Sequence, residues 1–172
     1  MRFALFAILA PLLLSESTRL PTAAPPAPKP QAQAPDPDLA KQHQTMADIR
    51  NLGTALFSWL TDQMGAGAAG KTETVDLKAY PNITTAELEK MLVPNYISAI
   101  PKTDGWGHPF EVRLNVKNLT AEKVMSIRSP GRDGKYSGDV YTNTGFKATD
   151  YDQDIVWADG FFLRWPERKG GS

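Results

Sequence analysis

The chain contains no cysteine. That excludes disulfides, a thiolate nucleophile, a Cys-ligated zinc site and a lipid-acceptor cysteine. Histidine is nearly as scarce, with only His43 and His108 to act as imidazole bases or ligands. Charge of one sign is missing too: nineteen Lys and Arg balance nineteen Asp and Glu. A neutral chain lacks the basic excess of a nucleic-acid binder and the polybasic patch of a membrane-surface protein. The longest apolar run, residues 3–14, is shorter than the roughly 17–25 residues needed to cross a bilayer. No G-x-S-x-G elbow and no H-E-x-x-H helix occurs. The expectation is therefore a non-enzymatic protein, with His43 and His108 as surface and turn residues. Trp59, Trp106, Trp157 and Trp165 are expected at the core and its rim.

What is present divides the chain in three. Arg2 ahead of the run 3–14, with small residues after it, fits a secretory signal or short apolar segment over 1–20. The expected location is outside the cytoplasm, in the periplasm or at the cell surface, with membrane contact only through that segment if it stays uncleaved. Residues 21–37 hold seven of the fourteen prolines and read as a disordered, polyproline-like linker. The folded domain is expected over 38–168. It opens on a helix capped by Asp38, whose Leu39, Met46, Ile49, Leu52, Leu56, Trp59 or Leu60, and Met64 recur mostly at steps of three and four. Gly53 on that face is expected to admit a neighbouring backbone, and one end of so long a helix is expected to project.

A second, short helix starts at Thr84, which has capping-box spacing to Glu87, and stops before Pro94. Strand patterns follow at 110–114, 123–128, 155–157 and 161–163, the last two flanking Ala158-Asp159-Gly160, a hairpin signal. Helices first and strands afterwards give an α+β fold, a long amphipathic helix packed on a small antiparallel sheet.

Residues 65–72, Gly-Ala-Gly-Ala-Ala-Gly-Lys-Thr, match the phosphate-cradling pattern G-x-x-x-x-G-K-[ST]. That chemistry needs a buried strand before the loop and a helix after it. Here an amphipathic helix precedes it and a poor helix former follows, so a helix-exit loop is the stronger reading. Nucleotide binding through Gly65–Thr72 stands third among the functional readings.

The acidic segment carries more chemistry. Residues 133–159 hold Asp133, Asp139, Asp150, Asp152, Asp154 and Asp159 against Lys135 and Lys147, an excess of four negative charges. Asp150, Asp152 and Asp154 alternate, a spacing that lets an extended turn converge on one cation, and Ca²⁺ takes six to eight oxygens. It is not an EF-hand loop, because the sixth position from Asp150 is Ile155 and the twelfth is Phe161.

Residues 45–64 (TMADIRNLGTALFSWLTDQM), 89–101 (EKMLVPNYISAIP), 104–110 (DGWGHPF), 129–134 (SPGRDG) and 152–157 (DQDIVW) occur in an order that resembles the soluble domain of the type II secretion major pseudopilin, protein G. The resemblance implies a long helix on a small antiparallel sheet with a C-terminal calcium loop. Its calcium aspartates correspond to Asp133, Asp152 and Asp154, to which the alternation adds Asp150. It implies protein partners in a secretion or pilus-like assembly. Two features depart from the family: eighteen residues separate Asp133 from Asp152, and no prepilin head with its cleavage glycine precedes the helix, the first glycine being Gly53. A filament subunit is therefore not expected. An exported structural or interaction domain of this type is, with a free periplasmic or surface-binding module on the same fold as the alternative.

Overall fold

A computed structural model describes residues 36–64, 74–121 and 123–167, all within one compact unit, Ala34–Ser172. The segments expected to be a signal and a linker, except residues 36 and 37, and the Gly65–Thr72 motif lie outside the described residues.

Helix α1 runs Pro37–Met64, about 42 Å at 1.5 Å per residue. It starts two residues before the position expected from a cap at Asp38. Asp36, not Asp38, accepts a hydrogen bond from the backbone N–H of Asp38 at 3.0 Å, and Pro37 takes the first helical position, where a missing N–H costs nothing. Met46, Ile49, Leu52, Leu56 and Leu60 form the buried stripe that the three-and-four spacing predicts, joined by Ala55, while Leu39 is exposed and Met64 only half-buried. Helix α2, Thr85–Leu92, has the expected capping box: Thr84 Oγ1 accepts from Glu87 N, and Glu87 accepts from Thr84 N. Leu88 and Leu92 are its buried residues.

The described residues form seven strands in two sheets, β1 lying between the two helices and the other six after α2. The strands are β1 (Thr74–Asp76), β2 (Glu111–Leu114), β3 (Met125–Ser129), β4 (Val140–Thr142), β5 (Thr144–Lys147), β6 (Ile155–Ala158) and β7 (Phe161–Glu167). The five-stranded sheet has the order β2-β3-β6-β7-β5, antiparallel except that β5 lies parallel to β7. The sheet is thus mixed, not antiparallel throughout. The difference comes from residues 135–149, which form two strands: β4 pairs with β1 as a second small sheet, and β5 extends the edge beside β7.

The faces of the five-stranded sheet have separate partners. On one, Val112, Leu114, Met125, Ile127, Ile155 and Trp157 pack with α1 and α2 in the main core. Each large side chain removed from water there stabilises by about 1.5–3 kcal/mol. On the other, Val156, Ala158 and Leu163 pack under Leu77, Tyr80 and Tyr141, a smaller core built by the short helix Leu77–Ala79 and β4. Gly53 meets no backbone. A Cβ there would lie 2.9 Å from the Trp157 ring, so the glycine makes room for an indole, which Phe57 meets edge-on at 5.8 Å.

Asp159 and Gly160 make the two-residue hairpin turn, with φ of 45° and 106°, the left-handed values that a tight β-hairpin needs. Asp159 also ties the turn to its surroundings. Its Oδ1 accepts from Val124 N at 3.0 Å and Met125 N at 2.9 Å, and its Oδ2 accepts from the Tyr80 hydroxyl.

Candidate functional site

Three loop segments, residues 104–109, 129–134 and 150–154, meet at the start of α1. Asp104, 5% exposed, organises the first. Its Oδ1 accepts from Trp106 N at 3.0 Å and His108 N at 2.9 Å, and its Oδ2 accepts from the Ser129 hydroxyl at 2.6 Å. The turn then docks on the helix. Gly105 N donates to Thr45 Oγ1 at 2.9 Å, and Trp106 Nε1 donates to Asp38 Oδ1 at 3.0 Å. Contact is so close that a Cβ on Gly105 would stand 2.3 Å from the Lys41 carbonyl oxygen.

The second segment is the turn after β3. Ser129 Oγ accepts from Gly131 N at 3.1 Å while donating to Asp104. His108 Nδ1 lies 2.9 Å from Gly131 O. A carbonyl oxygen can only accept, so Nδ1 carries the proton. A Cβ on Gly131 would stand 2.6 Å from Gln153 O, which locks this turn against the third segment, residues 150–154.

In that third segment Tyr151 donates its hydroxyl to Asp36 Oδ2 at 2.6 Å, a bond that pushes the phenol up to about 12. Arg132 joins the segments. Its Nε and Nη2 each donate to one oxygen of Asp152 at 2.8 Å, its Nη1 reaches Asp38 Oδ2 at 3.4 Å, and its backbone N–H donates to Tyr151 O at 2.8 Å. The bonds from Arg132 hold the Asp152 carboxyl below the ordinary carboxylate range. Neither end of α1 projects bare: Asp38 is engaged at one end, and Asp62 accepts from Tyr96 OH at 2.9 Å near the other.

Behind the loop lies a buried polar cluster. Arg128, 4% exposed, donates through Nη2 to Glu111 at 2.9 Å and Asp139 at 3.1 Å. Its Nη1 donates to Gly138 O at 2.7 Å and Tyr141 OH at 3.0 Å, and its guanidinium carbon lies 3.9 Å from the Tyr136 ring centroid. Asp154, 2% exposed, accepts through Oδ2 from Ser137 N, the Ser137 hydroxyl and Tyr141 OH at 2.6–2.9 Å. Burial raises the Tyr141 phenol, and the bond to Asp154 raises it further.

The four aspartates expected to share a cation are not brought together. Asp133 is exposed and accepts from Lys135 N, closing its own turn. Asp150 accepts from Gln153 Nε2. Asp152 is taken by Arg132, and Asp154 is folded under Ser137 and Tyr141. Among the described residues no three His, Asp or Glu side chains are grouped to hold a metal. Asp154 Oδ1 is a buried oxygen without a hydrogen-bond partner, but a single such oxygen is far from the six to eight that Ca²⁺ requires. The donor set does not fit the ion. Residues 151–153 turn instead of extending, which sends successive acids to different neighbours. Arg128, Arg132, Glu111 and Tyr151, which organise the site, were not singled out by the sequence. The available signal was an arginine on each side of the Ser129–Gly131 turn.

His43 is exposed on α1. Compared with protein-family models, with curated proteins and with solved structures, the chain matches none of them.

Proposed function

We propose that the domain is a non-enzymatic, exported structural or interaction module of the pseudopilin G type, working in a secretion or pilus-like assembly. The observation that carries this reading is the joining of three motif-bearing segments, 104–109, 129–134 and 150–154, to the first turns of α1. Asp104, Asp152, Asp154 and Asp159 all hold backbone, hydroxyl or guanidinium groups of distant segments. Their chemistry is committed to fixing a surface. The free face of α1, with Lys41, His43, Gln44, Asn51, Thr54 and Ser58 exposed, is the broad ordered surface left for a partner.

Site-specific photo-crosslinkers at His43, Asn51 and Ser58, used in the cell that makes the protein, test this. Adducts with components of a secretion or pilus-like assembly are expected. An exported protein whose adducts contain no such component overturns the assembly role in favour of a free binding module.

A further inference from the structure

The acidic loop needs counter-charge, because carboxylates gathered in one region repel unless a cation lies among them. The chain supplies that charge from the two residues that bracket the Ser129–Gly131 turn. Arg128 satisfies Glu111 and Asp139 from within the fold, and Lys78 adds a contact to Asp139 at 3.4 Å. Arg132 satisfies Asp152 with two parallel bonds and reaches Asp38 at the start of α1. Its guanidinium carbon also lies 5.8 Å from the Tyr151 ring centroid.

We propose that Arg128 and Arg132 do for this loop what a bound divalent cation would do, so that the loop is ordered without metal and Arg132 is the clamp between residues 150–154 and α1. A guanidinium suits the task because its planar fork matches one carboxylate with two bonds and leaves a third nitrogen for another. Calcium would have to recover Asp152 from Arg132 and unfold the Asp133 and Asp150 turns to collect its ligands. Arg128 is the permanent half: its side chain is 5% exposed and makes four hydrogen bonds and a ring contact. Arg132, at 45% exposed, is the half that can be removed without opening the core.

This inference goes beyond the assembly role and does not depend on it, because it is read on the purified chain with no partner present. Thermal unfolding and amide hydrogen exchange of the full chain are measured in EDTA and in millimolar Ca²⁺, for the wild type, Arg132→Ala, Arg132→Lys, Asp152→Ala and the Arg132→Ala/Asp152→Ala double variant. The wild-type midpoint is expected to be the same in EDTA and in Ca²⁺. Arg132→Ala is expected to lower it by about 2–5 °C, as for a networked surface ion pair in a domain of this size, and to speed exchange over 150–154. The double variant is expected to match the lower of its two parents, since the pair is lost once. Lysine, which offers no fork, is expected to fall between arginine and alanine. A wild-type midpoint that rises with Ca²⁺ overturns the proposal. So does an Arg132→Ala variant with unchanged midpoint and exchange.

Discussion

Replacing Gly105 by alanine tests the docking on which the site depends. The added Cβ would stand 2.3 Å from Lys41 O, 2.7 Å from Lys41 Cα and 2.8 Å from Lys41 C. All three are backbone atoms of α1, so no rotamer change relieves the clash. The turn has to lift by about 1 Å before the methyl reaches ordinary contact distance. The 2.9 Å bond from Gly105 N to Thr45 Oγ1 does not survive that displacement. The bond from the Trp106 indole to Asp38 stretches with it. Overpacking of this kind costs about 1–3 kcal/mol, and each hydrogen bond about 1 kcal/mol more. The sum is about 3–5 kcal/mol, or roughly 10–15 °C in the midpoint for a domain of this size. Thermal unfolding followed by circular dichroism measures it, and tryptophan fluorescence reports whether Trp106 leaves the helix. Gly138→Ala is the control, since a Cβ there meets nothing within 4 Å. A Gly105→Ala midpoint within a few degrees of the control refutes the docking as described.

Two further outcomes follow from the carboxylates. Asp159→Ala removes the acceptor for two backbone N–H groups and the Tyr80 hydroxyl, and places alanine at a φ of 45°. It is expected to cost about 3 kcal/mol or more, and Asp159→Asn clearly less, because an amide oxygen still accepts and asparagine tolerates that conformation. Equal unfolding midpoints for the two variants would count against this role. Acid should loosen the loop. Asp152 is lowered by its bonds from Arg132; burial raises Glu111, but its bonds from Arg128 and Arg113 outweigh that and leave it lowered. A carboxyl depressed in the folded state contributes stability above its ordinary value, and the contribution is lost as pH falls through the depressed one. The wild-type midpoint should therefore hold down to about pH 5 and fall below about pH 4, less steeply in Arg132→Ala. An equally steep fall in both variants would exclude the Asp152 pair as a source of the acid sensitivity.

What was legible in the sequence is what neighbours decide. The stripe of α1, the Thr84–Glu87 capping box and the Asp159-Gly160 turn each depend on residues within a few positions of one another. The start of α1 falls two residues ahead of the sequence expectation because Asp36 and Asp38 both flank Pro37 and either can cap. Strands β1, β4 and β5 left no usable pattern. β1 and β4 are three residues long and β5 carries a single large apolar side chain, Phe146, too little to show alternation, and β1 finds its partner more than sixty residues away. The long-range contacts of the site escape the sequence for the same reason. Spacing reports which acids are near each other along the chain, whereas Arg132 reaches Asp152 twenty positions away and Asp38 ninety-four away.

The position of β5 also imposes an order on events. Among the described residues its partner in the sheet is β7, which comes after it in the chain and is itself joined to β6 by the tight turn. In a chain that emerges amino end first, residues 144–147 are made with nothing to pair against. They cannot join the sheet before β7 has also been made. One edge of the sheet thus depends on the strand that is made after all the others described.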